Sequence, residues 1–332
     1  MITPKLQALW QKGCEFLGVE VAILGGAMTW VSNHALVSAI SNAGGFGILA
    51  CGAMTPDLLE KEIEKTKALT SKPFGVNLIT MHPQLDALID VVGKAAITHV
   101  VLAGGLPQAS SIKKLKEYGC KVIGFAPAYI IARKLEKMGI DGLIIEGHEA
   151  GGHIGPVSTS VLAQEILPQV KNLPVFVAGG IGRGEAIVSY LRMGAAGCQL
   201  GTRFVCAHES PAHEKFKEAF IRAQARDAVV SVQLDPRFPV IPVRALANAA
   251  TQKFMQVQAQ VIQRFEQGQV DLKEAQLEIE HYWAGALRRA VVDGDLDGGS
   301  LMAGQSVGMV SSLQSVDEII QELVEQARVF LA

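Results

Sequence analysis

Apolar and polar positions along the chain recur in one unit: a short β-branched run, a glycine or polar turn, then a stretch with helical spacing. The runs Val19–Leu24, Phe46–Ala50, Phe74–Leu78, His99–Leu102, Lys121–Phe125, Gly142–Glu146, Val175–Ala178 and Gly197–Leu200 read as strands. They are continuously apolar, as parallel strands covered on both faces are. Helical patterns fall between them at His34–Ala43, Pro56–Ala68, Leu85–Lys94, Ser110–Tyr118, Ala128–Met138, Val161–Leu167 and Gly184–Met193. Lys113–Tyr118 and Ala132–Met138 mix apolar residues with Lys and Glu at helical spacing, as the outer helices of a barrel do. Eight such units predict an α/β fold, a parallel (β/α)8 TIM barrel, with an open doubly wound sheet as the alternative.

The texture changes after the eighth run. Pro211–Asp227, Ala250–Glu266 and Asp271–Leu287 carry long helical patterns, and His208–Leu287 has little strand character. This predicts a helical insertion after strand eight, over the carboxyl ends of the strands. Asp293–Gly308 is a glycine-dense loop, and Val316–Leu331 is amphipathic, the expected eighth outer helix. The expected organisation is a barrel over 1–206, a helical substrate domain or lid over 207–290, and a return loop with closing helix over 291–332.

Charge and cysteine content remove several classes. Thirty Lys+Arg against 32 Asp+Glu leave a net charge of −2 and no basic run, which argues against nucleic-acid binding. The five cysteines form no C-x-x-C pair, pointing to buried reduced thiols in a cytoplasmic protein. Met1–Trp10 has Lys5 but no apolar run of a signal peptide behind it. Val21–Pro56 lacks Asp, Glu, Lys and Arg, but Gly25-Gly26, Ser32-Asn33-His34, Ser41-Asn42 and Gly44-Gly45 divide it into pieces too short to span a membrane. There is no P-loop, H-E-x-x-H, EF-hand or G-x-S-x-G motif, and no metal is expected.

In a barrel of this kind, ligands sit on the loops after the strands, and phosphate commonly after strands seven and eight. Gly179-Gly180-Ile181 and Leu200-Gly201-Thr202 stand at those two places. Glycine lets backbone N–H groups approach an anion, and Thr202 adds a hydroxyl. Such glycines also simply start helices; their paired placement favours the anion site. Arg183 and Arg203 lie nearby and read equally as surface residues. After strand six, Glu146-Gly147-His148-Glu149-Ala150-Gly151-Gly152-His153-Ile154-Gly155 holds a histidine between glycines. A lone loop histidine is more often bonded to backbone, but flanking glycines permit close approach of a planar ligand, and imidazole titrates near neutrality. His153 is therefore the candidate catalytic residue; His148 and Glu149 rank below it, and one of the two reads as a residue that only orients the loop. Gly25-Gly26-Ala27-Met28 follows strand one and Asn77 ends strand three; Met28 and Trp30 also read as plain core, and the lesser reading of Asn77 is a residue that ties down a turn.

Five segments together, Ser41–Gly47 (SNAGGFG), Pro73–Asn77 (PFGVN), Glu149–Gly155 (EAGGHIG), Ala178–Ile181 (AGGI) and Gln199–Phe204 (QLGTRF), resemble the nitronate monooxygenase (2-nitropropane dioxygenase-like) family, which includes FMN-dependent enoyl-ACP reductases of type II. The resemblance runs from about Ala22 to the last helix. It implies a flavin barrel with a helical substrate domain. It implies that Asn77, Glu146, Gly151, Gly180, Gln199, Leu200, Gly201 and Thr202 hold FMN, with Gly26, Ala27 and Met28 against the ring; Gly152 and Gly179 complete the candidate set. His153 matches the family's active-site histidine. Where the family commonly reads Gln-Gly-Gly-Met, this chain has Gly25-Gly26-Ala27-Met28.

Glu146 and the segment Ala284–Gly308 look like the reductase branch. The expectation is an enoyl-ACP (enoyl-thioester) reductase passing hydride from NAD(P)H through FMN to an enoyl chain. The alternatives are oxidation of alkyl nitronates or nitroalkanes with O2, NADH:quinone reduction, or a flavin-binding partner subunit without its own turnover.

Overall fold

The computed structural model describes residues 2–238, 242–282 and 285–332. Eight parallel strands form the central sheet: β1 (Ile23–Gly25), β2 (Gly47–Ala50), β3 (Phe74–Ile79), β4 (His99–Ala103), β5 (Lys121–Phe125), β6 (Gly142–Glu146), β8 (Val175–Ala178) and β9 (Gly197–Leu200). The two-residue β7 (Gly152–His153) lies outside it. Neighbours follow the order β1-β9-β8-β6-β5-β4-β3-β2. A parallel bridge between Leu24 and Phe46 joins the two ends, with the Gly25 N–H donating to Phe46 O and the Phe46 N–H to Ile23 O, each at 2.9 Å. The sheet is therefore a TIM barrel, as its sequence pattern predicts.

The helices are α1 (Pro4–Leu17), α2 (His34–Asn42), α3 (Pro56–Leu69), α4 (Leu85–Lys94), α5 (Ala109–Glu117), α6 (Tyr129–Lys137), α7 (Thr159–Ile166) and α8 (Gly184–Arg192). After β9 come α9 (Thr202–Val205), α10 (Glu214–Arg222), α11 (Ala249–Glu266), α12 (Leu272–His281), α13 (Ala286–Val291) and α14 (Val316–Leu331). Ser315 and Glu318 form a reciprocal capping box at the start of α14. Its buried face, Val316, Ile319, Ile320, Leu323, Ala327 and Leu331, packs beside α8 and α2, closing the outer ring. Among the described residues no helix is long and apolar enough to cross a membrane.

The barrel interior is solid. Leu24, Phe46, Ile48, Val101, Ile123, Ile144, Phe176 and Ala178 fill it, and Phe16, Leu17 and Val19 plug its floor. His99 stands at that floor, with Nε2 2.9 Å from Phe16 O and its ring edge-on to Phe16 and Phe46. Burial lowers its pKa to about 4, so it is a neutral packing group.

Four expectations need correction. The first strand begins at Ile23 rather than Val19, because Val19 serves as part of the floor plug. Pro211–Asp227 is not one helix: α10 ends at Arg222, Ala223 is extended, and a short 3-10 turn follows at Ala225–Asp227. The insertion is not purely helical, since β10 (Ala228–Val230) and β11 (Val243–Leu246) form an antiparallel sheet with β7. Asp271–Leu287 is not one helix either: α12 ends at His281 and α13 starts at Ala286 after Gly285 at φ +74°, while residues 283–284, also at the head of the segment Ala284–Gly308, lie outside the described residues.

Candidate active site

Register places three polar side chains inside the top of the barrel. Leu24, Gln199, Ala178 and Glu146 are aligned across β1, β9, β8 and β6. Leu24 and Ala178 belong to the interior cluster, and aligned residues share a face, so Gln199 and Glu146 point inward too. Asn77 is aligned with the interior residue Val101. Asn77 and Gln199 are buried, at 5% and 7% exposure. Asn77 makes one long bond, Nδ2 to Val101 O at 3.4 Å. The side chains of Gln199 and Glu146 have no hydrogen-bond partner among the described residues. Buried polar groups are rarely left unpaired, so this trio is available to a ligand. Burial raises the Glu146 carboxyl from 4.5 to about 7.

Around this mouth the loops are tied to one another. Gly179 and Gly180 follow β8 at φ of +98° and +72°, a backbone region that side chains disfavour. A Cβ at Gly180 would stand 2.8 Å from the Glu149 Cβ, and one at Gly151 would stand 2.5 Å from Gly304 N. The Glu149 carboxylate accepts from the Thr159 N–H at 2.8 Å and hydroxyl at 2.9 Å. His148 Nδ1 lies 3.0 Å from Gly155 O. Both residues hold the loop, a role the sequence reading offers to one of them. The Gln305 N–H donates to Glu149 O at 2.9 Å, and Thr202 Oγ1 accepts from the Gly304 N–H at the same distance.

The loop after β1 completes the rim. The Gly26 N–H donates to Leu200 O at 2.8 Å; Ser32 Oγ donates to Gly26 O at 2.8 Å and accepts from the Met28 N–H at 3.0 Å. Ala27 packs on the interior cluster, and Met28 Sδ stands 3.4 Å from where a Gly201 Cβ would lie. Trp30 is not core: it is 41% exposed at φ +68°. Neither arginine points to an anion site, for Arg183 pairs with Glu185 and buried Arg203 with Gln314 and Glu322. His153 is exposed on β7, yet the surrounding loops desolvate it enough to lower its pKa below the ordinary 6.5.

All fourteen candidate residues thus gather at the carboxyl ends of the barrel strands. Sequence reasoning missed Ser32, Thr159, Arg244 and Gly304. Ser32 and Thr159 sit beside helix starts, a local signal; Arg244 carries none.

A family model for nitronate monooxygenase matches residues 11–88 and 84–326. The chain belongs to the nitronate monooxygenase family. The likeness of this family member to solved structures covers nearly its whole length. FabK from Thermotoga maritima is 37% identical with a TM-score of 0.86, covering 96% of both chains. A nitroalkane oxidase from Streptomyces ansochromogenes is 26% identical with a TM-score of 0.77, covering 94% of this chain and 97% of its own. By sequence, a Mycobacterium tuberculosis "(3aS,4S,5R,7aS)-5-hydroxy-7a-methyl-1-oxo-octahydro-1H-indene-4-carboxyl-CoA dehydrogenase" is 31% identical over 341 residues, 94% of each protein. Family and neighbours make this nitronate monooxygenase family member an oxidoreductase.

Proposed function

We propose that the chain is an FMN-dependent oxidoreductase that uses NAD(P)H to reduce an enoyl thioester. The observation that carries this reading is the inward trio Asn77, Glu146 and Gln199, ringed by glycine backbone above an apolar barrel. The residues fit the cofactor. Two carboxamides offer donors and acceptors to the mixed edge of an isoalloxazine, while Gly179-Gly180 and Gly201-Thr202 offer N–H groups and a hydroxyl to its phosphate. Gly151 and Gly152 keep side chains out of the rim beside them, and Gly26, Ala27 and Met28 lie across from them, tied to the Leu200 backbone carbonyl by the Gly26 N–H.

When bound, FMN supplies the two-electron chemistry, with hydride taken from nicotinamide and given to the carbon β to the thioester. The chain supplies the rest. Glu146, with its carboxyl raised to about 7, carries less than a full negative charge at neutrality and donates a hydrogen bond when protonated. His153, mostly neutral at pH 7, offers its ring N–H to the thioester carbonyl; its protonated minority passes a proton to the α-carbon and returns to neutral, and its exposure lets solvent restore that proton. The thioester class is supported by the mycobacterial relative, whose name specifies a carboxyl-CoA substrate.

The second reading is oxidation of nitronates or nitroalkanes with O2, supported by the family model and the Streptomyces neighbour. There the neutral imidazole of His153 acts as a base on the substrate carbon.

One anaerobic experiment separates them. Purified protein is expected to show a flavin spectrum that NADH or NADPH bleaches and crotonyl-CoA restores. Bleaching by nitroethane nitronate without any pyridine nucleotide would support the second reading, and a colourless protein that takes up no FMN would reject both.

A further inference from the structure

The imidazole that either reaction needs is held by the insertion as well as by the barrel. In the pairing of β7 with β11, Val243 opposes His153 and Arg244 opposes Gly152, and the Ile154 N–H extends the pairing onto Pro242 O at 3.0 Å. Opposed residues in an antiparallel pair share a face, so Val243 flanks the imidazole while the Arg244 side chain leaves from the other face. There its guanidinium is buried, at 3% exposure. Nε and Nη2 both donate to His148 O, at 3.1 and 3.0 Å, and Nη1 donates to Ala228 O at 2.5 Å. These bonds go to backbone carbonyls rather than to a carboxylate. One cation therefore joins the start of the histidine loop, at His148, to two strands of the insertion, β10 and β11.

We infer that Arg244 is a positioning residue for His153, fastening loop 148–153 to the insertion so that the imidazole keeps its place only while that segment is docked. The inference rests on the acid–base reading of His153. Guanidinium suits the task because its rigid fork places two donors on one carbonyl and a third on another strand, which a lysine ammonium cannot match. The coupling runs both ways: a substrate that presses on β11 moves the group that handles its proton.

The test compares holoprotein carrying Arg244→Met and Arg244→Lys with the unaltered chain. The flavin spectrum, the kinetics with NADH and crotonyl-CoA, and the nitrogen NMR signals of His153 are recorded for each. Arg244→Met is expected to keep the flavin spectrum, shift the His153 signals and their titration, and lower kcat ~10–100-fold, with KM for NADH little changed. Arg244→Lys recovers part of the loss. Unmoved His153 signals in Arg244→Met overturn the inference, as does activity that falls only in proportion to lost flavin. Should Arg244→Met not fold, amide exchange in the unaltered protein decides: Ile154 and the β11 amides opening together support the coupling, and opening independently refute it. The NMR readout does not depend on turnover, so failure of the acid–base role, seen as an active His153→Asn, is distinguishable from failure of the positioning role.

Discussion

The hydroxyl of Thr202, the first residue of α9 just after the last barrel strand, accepts a hydrogen bond from the backbone N–H of Gly304, 102 residues later, at 2.9 Å. That bond fixes the return loop against the rim and leaves the Thr202 proton free to donate elsewhere. Thr202→Val removes both functions. It is expected to cost ~1 kcal/mol of stability and to weaken FMN binding, while Thr202→Ser retains most of each. Thermal melting and fluorescence titration with FMN check the pair.

His153→Asn keeps ring-sized bulk and some hydrogen bonding but cannot exchange a proton near neutrality. Bleaching of the flavin by NADH should persist, whereas the step that moves a substrate proton slows ~10²–10⁴-fold. The pH profile assigns the direction. A base must be neutral, so a rate that falls as pH drops through a value below 6.5 marks removal of a nitroalkane's α-proton; a rate that falls as pH rises through it marks His153 as an acid.

Glu146 gives a stability signature of unusual sign. Its pKa is higher in the fold than the ordinary 4.5, so folding favours the protonated form. The penalty is absent below pH 4.5, grows as pH rises to about 7 and is constant above, reaching at most ~3 kcal/mol. In flavin-free protein, Glu146→Gln should therefore melt higher than the unaltered chain at pH 8, and the two should converge near pH 4.5. Parallel melting curves across that range would show that Glu146 is solvated.

Gly179→Ala places a Cβ at φ +98° and 2.9 Å from Thr159 Oγ1, the hydroxyl that Glu149 binds. Backbone strain of this type costs ~1–3 kcal/mol. The expected result is a lower melting temperature with FMN affinity reduced ~10-fold or more, measured on the same preparation.

Much of this was legible because barrel strands leave a strong local trace. Apolar runs such as Phe74–Leu78 and Val175–Ala178 carry a polar residue near their end, Asn77, or are followed by glycine, Gly179, and those residues are where the rim forms. The N-terminal helix α1 went unread although Thr3-Pro4 caps its start and Gly18 its end, because its buried face is spread over Leu6, Trp10, Cys14 and Leu17. Strands β10 and β11 were invisible for another reason. Ala228–Val230 and Val243–Leu246 are too short to show alternation and exist as strands through their pairing with each other and with Gly152–His153. The same holds for Arg244, whose partner carbonyl on His148 lies 96 residues away.

Among the described residues, Phe16, Leu17 and Val19 plug the lower end of the barrel beneath its stacked side chains. Under the proposed reaction, electron donor and electron acceptor both reach the rim from above and take turns there. Steady-state rates should accordingly give parallel lines in double-reciprocal plots, with each partner competing against the other at high concentration.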